Sequence, residues 1–347
     1  MIFNKIIRTD IEDVVHSNIS WERFRGKHVL ITGANGFLPS YIVYSLLEAN
    51  EIFKLKLRVT ALVRNLDKAH KRFSDFLENK SFLMLHQDVN DRIENKNYNF
   101  IIHAASQASP KYYSIDPVGT LKPNIIGTTN LLELAVESNV NAFLYFSSSE
   151  VYGQIPDSEN PIKEDQFGYL DPAKVRSCYA ESKRMGETLC VSYYHQYGVP
   201  VKIVRPFHTY GPGMDLNDGR VYADFVRNII QNENINLNSD GTAKRAFCYI
   251  KDATIGFLLT LLEGKNGESY NIGNQTEEYS IKNLAEILVE LYPEKKLKVT
   301  TNNIPDINYT PSKVNRNCPN CAKATSLGWK VTTTVQDGFQ RTINSYQ

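Results

Sequence analysis

The sequence predicts an α/β fold: a doubly wound parallel sheet with a smaller C-terminal α/β lobe. Three observations lead there. Short apolar runs alternate with helical segments through the first 205 residues, a glycine-rich turn directly follows the first run, and the alternation fails beyond about residue 206. Strands buried on both faces read as continuous apolar runs, and their regular alternation with helices implies a parallel sheet covered on both sides.

Residues 1–25 read as a helical extension, carried by Asp10-Ile-Glu-Asp-Val-Val15. The first strand is His28–Thr32, bounded by Gly26 and Gly33, and a helix follows over about Leu38 to Glu48. Further strands are expected at Val59–Val63, Phe82–His86 and Phe100–His103. A long helix over about Asn124 to Ser138 leads to a fifth strand, Ala142–Ser147. The pattern turns helical again from Tyr179 to His195, then gives a sixth strand at Val201–Arg205. Residues 26–205 are therefore expected to form the nucleotide-binding domain. Residues 206–347 are expected to be mainly a substrate-binding lobe, with some segments returning to the sheet.

Composition narrows the partners. At 347 residues the chain is long for one compact core. Its net charge of +1 gives no global field to hold nucleic acid or an anionic membrane, so an anionic ligand must be met by local groups. No stretch reaches the roughly 18 apolar residues of a membrane span. Met1 to Asp10 carries charges and no apolar run of signal-peptide length, so a cytoplasmic protein is expected. The five cysteines show no disulfide spacing, which fits a reducing compartment. Cys318-Pro-Asn-Cys321 is a single CxxC without the two further ligands that zinc needs, so no metal site is expected and the pair reads as a loop.

Gly33-Ala-Asn35-Gly36-Phe37-Leu38-Pro39 lies between the first strand and its helix. A tight turn at Gly33 and a bare backbone at Gly36 let a pyrophosphate approach the helix N-terminus, as in a Rossmann dinucleotide site. Pro39 stands where a third glycine is usual, yet proline is tolerated in a first helical turn. The second strand ends Leu62-Val63-Arg64-Asn65, without the acid that normally holds the ribose hydroxyls of NAD. Arg64 suits a 2′-phosphate, so the cofactor is NAD or NADP with a lean toward NADP. Asp88 and Val89 are placed to reach the adenine, and Ala104, Ala105 and Ser106 to line the cofactor.

Tyr179-Ala-Glu-Ser-Lys183 puts a phenol and an ammonium on one helical face. A free tyrosine has a pKa of roughly 10, and a neighbouring cation is expected to bring it into range for a general base. Ser148 can hydrogen-bond the same substrate oxygen, and Asn124 can hold a water that links Lys183 outward.

Together these motifs resemble the extended short-chain dehydrogenase/reductase family, in its nucleotide-sugar epimerase and dehydratase branch. The likeness runs from about residue 26 to Leu327-Gly-Trp329. It includes Gly33–Pro39, His103-Ala-Ala, Asn124, Ser147-Ser-Ser-Glu-Val-Tyr-Gly153, Tyr179/Lys183 and Arg205-Pro206-Phe-His-Thr-Tyr-Gly-Pro212. The resemblance implies that Tyr179 takes a sugar hydroxyl proton while C4 gives a hydride to a dinucleotide that stays bound. It also implies cofactor contacts from Tyr179, Lys183 and Pro206.

The Ser148-Ser149-Glu150 segment looks like that of UDP-glucuronate decarboxylases and GDP-mannose dehydratases. The dTDP-glucose 4,6-dehydratases resemble it with an acid where Ser149 stands. Four further segments are similar to decarboxylases: Ala108–Tyr113, Arg176–Tyr179, Gly213–Val221 and Lys244–Phe247. The resemblance thus favours a decarboxylase of a nucleotide-diphosphate sugar, with Ser149, Glu150, His208, Arg220 and Arg245 on the substrate. Arg245 is shared between the carboxylate end and the diphosphate, and Arg220 is a phosphate or base contact. His208 replaces an asparagine, and Gly213 an arginine that is common there, so a 4,6-dehydratase, a 4-epimerase or a 4-reductase stays open. A non-enzymatic dinucleotide sensor or scaffold would be expected to lack Tyr179 or Lys183, and both are present. Relatives pair through the helices that hold Asn124 and Tyr179, which implies a homodimer, with Val136 and Val191 compatible.

Overall fold

Each of the six apolar runs forms a strand. In the computed structural model, which describes residues 4–301 and 314–347, the chain opens with helix α1 (Lys5–Val15). The first three residues of the expected extension lie outside the described residues. There follow β1 (His28–Thr32), α2 (Phe37–Phe53), β2 (Arg58–Val63), α3 (Leu66–Arg72), β3 (Phe82–His86) and β4 (Phe100–His103). Next come α4 (Tyr112–Ile115), α5 (Pro117–Lys122), a π-helical turn at Pro123–Gly127, α6 (Thr128–Ser138), β5 (Ala142–Phe146), α7 (Cys178–Tyr197) and β6 (Val201–Pro206).

Beyond β6 the elements shorten. They are β7 (His208–Tyr210), α8 (Val221–Gln231), β8 (Ile235–Leu237), β9 (Lys244–Tyr249), α9 (Ile250–Glu263), β10 (Ser269–Ile272) and β11 (Glu278–Ser280). The chain ends with α10 (Ile281–Glu290), β12 (Val299–Thr301), β13 (Arg316–Asn317), α11 (Ala322–Ser326) and α12 (Val335–Asn344).

The main sheet has seven strands in the order β10-β6-β5-β4-β1-β2-β3, with every neighbouring pair parallel. Strand β10 comes from beyond residue 206 and joins the edge beside β6. Alternate residues serve opposite faces, as the period of a strand requires. Val29, Ile31, Ile102 and Leu144 pack toward α1, α2 and α9, whereas Leu30, Ile101, Phe143 and Ile203 pack toward α6 and α7. Chain order reverses between β1 and β4, so a crevice opens at the carboxyl ends of these strands, where open α/β sheets bind ligands.

A second, mixed sheet runs β11-β9-β13 with β7 also on β9, and β8 pairs with β12. Helix α1 is tied to this part through Asp10, which is fully buried and accepts from the Tyr249 hydroxyl at 2.7 Å and from Arg341 at 2.5 Å. Among the described residues, no helix is long and apolar enough to cross a membrane.

Candidate active site

The turn after β1 is shaped by two glycines for different reasons. Gly33 has φ +63°, and a Cβ there would stand 2.6 Å from Ala105 Cα and 2.9 Å from Ala105 N. Only glycine meets both demands. Gly36 donates its N–H to Gly33 O at 2.8 Å and then caps α2. The first N–H groups of a helix have no intrahelical partner, so Phe37 and Leu38 offer theirs outward. Pro39, in the same turn, gives up only a bond that would not have formed within the helix. The helix begins one residue before the predicted start, and its first turn holds no acid to compensate its positive end.

The adjoining residues, at the carboxyl ends of β1 to β4, are small or polar and suit a dinucleotide. The Ala104–Ala105 backbone packs directly against Gly33, and Ser106 Oγ is buried with no hydrogen-bond partner. Asn35 Nδ2 lies 3.5 Å from Asn65 O, while Asn65 caps α3. Arg64 is 68% exposed at the end of β2, with its guanidinium 4.0 Å from Asp88 Oδ2. Val89 is buried and packs under Gly127 of the π turn. His103 joins the layers: Nδ1 meets Thr32 Oγ1 at 2.8 Å, and Nε2 meets Thr128 Oγ1 at 3.1 Å. Burial, aided by Lys183, pushes its pKa down to about 3, so the ring is a neutral pin. Pro206 ends β6, pairing in register with Ile272 of β10.

Tyr179 and Lys183 are both buried in the first two turns of α7. Lys183 Nζ donates to Phe146 O at 2.6 Å and lies 5.0 Å from the Tyr145 ring centroid and 5.9 Å from that of Tyr179. Lys183 is not among the leading influences on the phenol. Burial pushes Tyr179 up to about 12, Glu150 adds to the rise, and the opposing influences are a hydrogen bond with Ser148 and the charges of Arg220 and Arg176. Burial also pushes Lys183 down to about 7. The same desolvation drives both groups toward neutrality, and the ammonium is engaged by a strand carbonyl rather than by the phenol.

Asn124 lies in the π turn instead of regular helix. Its Nδ2 donates to Ser182 Oγ at 2.9 Å and to Thr120 O at 3.0 Å, and its Oδ1 is buried without a protein partner. The contact with Ser182 binds this turn to the helix that carries Tyr179 and Lys183.

A buried ionic cluster that the sequence did not announce fixes α7 against the sheet. Arg205 grips Glu187 through two bonds, of 2.9 and 2.6 Å, with the side chains only 4% and 13% exposed. Ser147 Oγ reaches the same carboxylate at 2.5 Å, and Arg205 also meets the Tyr152 hydroxyl at 2.9 Å. Tyr152 in turn donates to Asn271 Oδ1 of β10 at 2.5 Å. The available signal was spacing, since Glu187 continues the four-residue step from Tyr179 through Lys183.

Ser148 caps the short 3₁₀ turn Ser149–Tyr152, accepting from the Glu150 N–H at 3.2 Å, and Ser149 is buried in that turn. Glu150 pairs with Arg176 at 2.9 Å. The Arg176 guanidinium sits 4.6 Å over the Tyr113 ring, and Tyr113 stacks on Tyr179 with centroids 5.0 Å apart and planes 14° apart. Neither Arg176 nor Tyr113 was singled out from the sequence, although both fall in the quoted segments.

His208, Arg220 and Arg245 converge from β7, the start of α8 and β9. His208 Nδ1 is buried and unpartnered, its ring stands edge-on to Tyr222 and Phe247, and burial with the Arg245 and Arg220 charges pushes it down to about 3. Arg220 pairs with Asp218 at 2.5 Å and donates to Ala108 O at 3.1 Å. Arg245 donates to three backbone carbonyls, Lys244 O at 2.7 Å, Val314 O at 2.8 Å and Asn315 O at 3.1 Å. Its guanidinium therefore also braces the chain at residues 314–315.

Cys318 and Cys321 are buried free thiols, pushed up to about 11 and about 12 by burial. Among the described residues, no group of three or more His, Cys, Asp or Glu side chains is placed to hold a metal ion.

With the geometry in place, comparison with known proteins gives a consistent class. Residues 29–273 match the model of the NAD dependent epimerase/dehydratase family. The chain is 35% identical to UDP-glucuronic acid decarboxylase 6 of Arabidopsis thaliana over 317 residues, which cover 90% of this chain and 86% of the relative. It is 33% identical to UDP-glucuronic acid decarboxylase 1 of Xenopus tropicalis, covering 92% and 72% of the two chains. In fold it is similar to UDP-glucuronic acid 4-epimerase from Bacillus cereus, with a TM-score of 0.78, 23% identity, and 92% and 98% coverage of the two chains. The chain belongs to the NAD dependent epimerase/dehydratase family, within the extended short-chain dehydrogenase/reductases that act on nucleotide sugars.

Proposed function

We propose that this enzyme decarboxylates a UDP-hexuronate, oxidising the sugar at C4. The observation that carries the reading is the environment of the phenol: the carboxylate acting on Tyr179 is Glu150, and its neighbour is Ser149, not a second acid. Loss of water by the two-acid route needs two proton-moving groups there, whereas a β-keto acid loses carbon dioxide without acid help and needs only one proton afterwards, at C5. The decarboxylase relatives support the same choice.

Gly33, Asn35, Gly36, Phe37, Leu38, Ala104, Ala105 and Ser106 would hold the dinucleotide, with Asp88, Val89 and Pro206 at its margins. When bound, the oxidised dinucleotide supplies the hydride acceptor for C4 and a positive charge beside the phenol. Tyr179 accepts the proton of the C4 hydroxyl while Ser148 hydrogen-bonds the same oxygen. Lys183, anchored on Phe146 O, and Asn124, anchored on Ser182, keep the helix face in register. In the 4-keto acid the bond from C5 to the carboxyl carbon breaks, and its electron pair flows into the carbonyl as an enolate. Ser148 and the now protonated Tyr179 donate to the enolate oxygen. A proton added at C5 restores the ketone for reduction. Arg220 and His208 would face the nucleotide diphosphate, and Arg245, bonded to backbone carbonyls, would border the same end.

Arg64 supports NADP over NAD as the finer choice, because its guanidinium is exposed and only loosely paired with Asp88. Arg64→Ala should weaken NADP more than NAD, and equal losses would remove that preference. We also propose a homodimer through α5, α6 and α7. Val136, Met185 and Val191 on α6 and α7 and Ile126 on the π turn between α5 and α6 are exposed, and a groove of about 420 Å³ lined by Leu121, Ile125 and Met185 lies among them. Light scattering showing only 39.5 kDa particles would reject it.

The deciding experiment incubates the enzyme and Tyr179→Phe with UDP-, GDP-, CDP- and dTDP-sugars and reads products by mass spectrometry. Decarboxylation removes about 44 mass units from UDP-glucuronate, and Tyr179→Phe should abolish it. A loss of about 18 units from a neutral hexose, or an isomer of unchanged mass, would overturn the proposal.

A further inference from the structure

Glu150 places a negative charge near the reacting phenol, linked to it through Arg176 and the Tyr113 ring. Its partner is Arg176, bonded at 2.9 Å, whose guanidinium lies 4.6 Å over Tyr113, itself stacked on Tyr179. The other cations near this end are engaged elsewhere: Lys183 with Phe146 O, Arg220 with Asp218 and Ala108 O, and Arg245 with backbone carbonyls. Resting on the decarboxylase reading, we propose that Arg176 makes the site selective for a sugar that carries a carboxylate, by neutralising Glu150 so that an incoming uronate does not meet an unpaired anion.

The chemistry of the substrate requires such a device. A C5 carboxylate is attached to the carbon next to C4, so a sugar whose C4 hydroxyl lies on Tyr179 brings its second anion into the neighbourhood of Glu150. Like charges so close disfavour binding. A neutral hexose brings no such charge and is indifferent to Arg176. Pairing with Glu150 has a second merit. A guanidinium bound directly to the leaving carboxylate would stabilise the ground state and lose its partner as carbon dioxide forms. Held by Glu150 and by the face of Tyr113, Arg176 cancels the repulsion without taking the carboxylate itself. It is a positioning and specificity residue for the reaction.

The test uses the full chain with Tyr179→Phe, which keeps the ring stack and stops turnover, in the presence of NAD. Affinities for UDP-glucuronate and UDP-glucose are measured by calorimetry. Adding Arg176→Gln should weaken UDP-glucuronate about tenfold, or about 1.4 kcal/mol, while UDP-glucose stays within about twofold. The retained UDP-glucose affinity also reports that the variant is folded. Adding Glu150→Gln to Arg176→Gln should restore most of the loss, and Arg176→Lys, which keeps the charge, should preserve the preference. Equal losses for both sugars, or no recovery with Glu150→Gln, would overturn the role of Arg176 and leave the decarboxylase reading standing. Failure of the parent to bind UDP-glucuronate would bring down that reading, and the role of Arg176 with it.

Discussion

Replacing Gly33 and Gly36 separately by alanine divides the glycine turn into its two tasks, backbone shape and ligand access. At Gly33 an alanine must hold φ +63°, which costs a residue with a Cβ about 1–2 kcal/mol. The new methyl would also lie 2.6 Å from Ala105 Cα. Carbon atoms need about 3.5–4 Å, so the backbone after β4 must retreat by about 1 Å. Overpacking of this kind costs about 1–3 kcal/mol. Gly33→Ala should therefore lose about 2–5 kcal/mol in urea unfolding, a large share of the stability of an ordinary domain.

Gly36 has φ −68°, which any residue adopts, and its Cβ would meet Gly33 O at 3.0 Å and Pro39 Cγ at 3.4 Å. Gly36→Ala should cost only about 0.5–1 kcal/mol as a poorer helix cap. Its methyl, however, stands at the N-terminal end of α2, where a pyrophosphate needs bare backbone. Dinucleotide affinity, followed by calorimetry, should fall at least about tenfold. Unaltered stability in Gly33→Ala would refute the close approach to Ala105. Unaltered NAD and NADP affinity in Gly36→Ala would refute the turn as the anion cradle.

Three other perturbations follow from buried charges. Glu187→Gln leaves Arg205 buried without its anion and should cost about 3–5 kcal/mol, whereas a double change of Glu187 and Arg205 to methionine should recover much of it; urea midpoints at one pH compare them. Burial raises the Asp10 carboxyl from 3.8 to about 6, so it binds its proton more tightly in the folded chain than in the unfolded one. Its contribution is present below about pH 4 and lost as pH rises through about 6, amounting to about 3 kcal/mol. The stability difference between the parent and Asp10→Asn should change by that amount over this window, and a constant difference would count against it. His208, held neutral near 3 by burial and two arginines, should add no inflection near pH 6.5 to the activity profile. His208→Asn should therefore alter KM while leaving the limbs in place.

What could be read from the sequence follows from where its signals lie. β1 to β6 were legible because strands buried on both faces are continuous apolar runs, and α2 because a glycine turn marks its start. The edge strand Ser269-Tyr-Asn-Ile272 is half polar, so its return to the sheet was foreseen without being located. The π turn around Asn124 was hidden because a shift in backbone hydrogen-bond register leaves no mark in residue type. Tyr179, Lys183 and Ser148 were found through local spacing. Spacing put Glu187 on the face of Tyr179 and Lys183 but not its partner Arg205, and Arg176 and Tyr113 act through contacts between residues far apart in the chain, which spacing does not encode. The rise of the Tyr179 phenol was not legible, because the burial of the ring and of Lys183 is set by the fold and not by their spacing.

That last point sets how the base must work. Burial pushes the phenol up to about 12 and Lys183 down to about 7, so the two groups do not form a ready phenolate–ammonium pair. The Ser148 hydrogen bond and the Arg220 and Arg176 charges pull the phenol down, Glu150 holds it up, and a bound oxidised dinucleotide would add a further positive charge. Removing the negative charge should favour the phenolate. In Glu150→Gln, with NAD present and sugar saturating, the limb on which C4 oxidation rises with pH should therefore move to lower pH, read as dinucleotide reduction at its near-ultraviolet band. A limb that stays fixed, or moves to higher pH, would mean that Glu150 does not act on Tyr179 through its charge, and that the base is tuned by contacts other than those surrounding it in the folded chain.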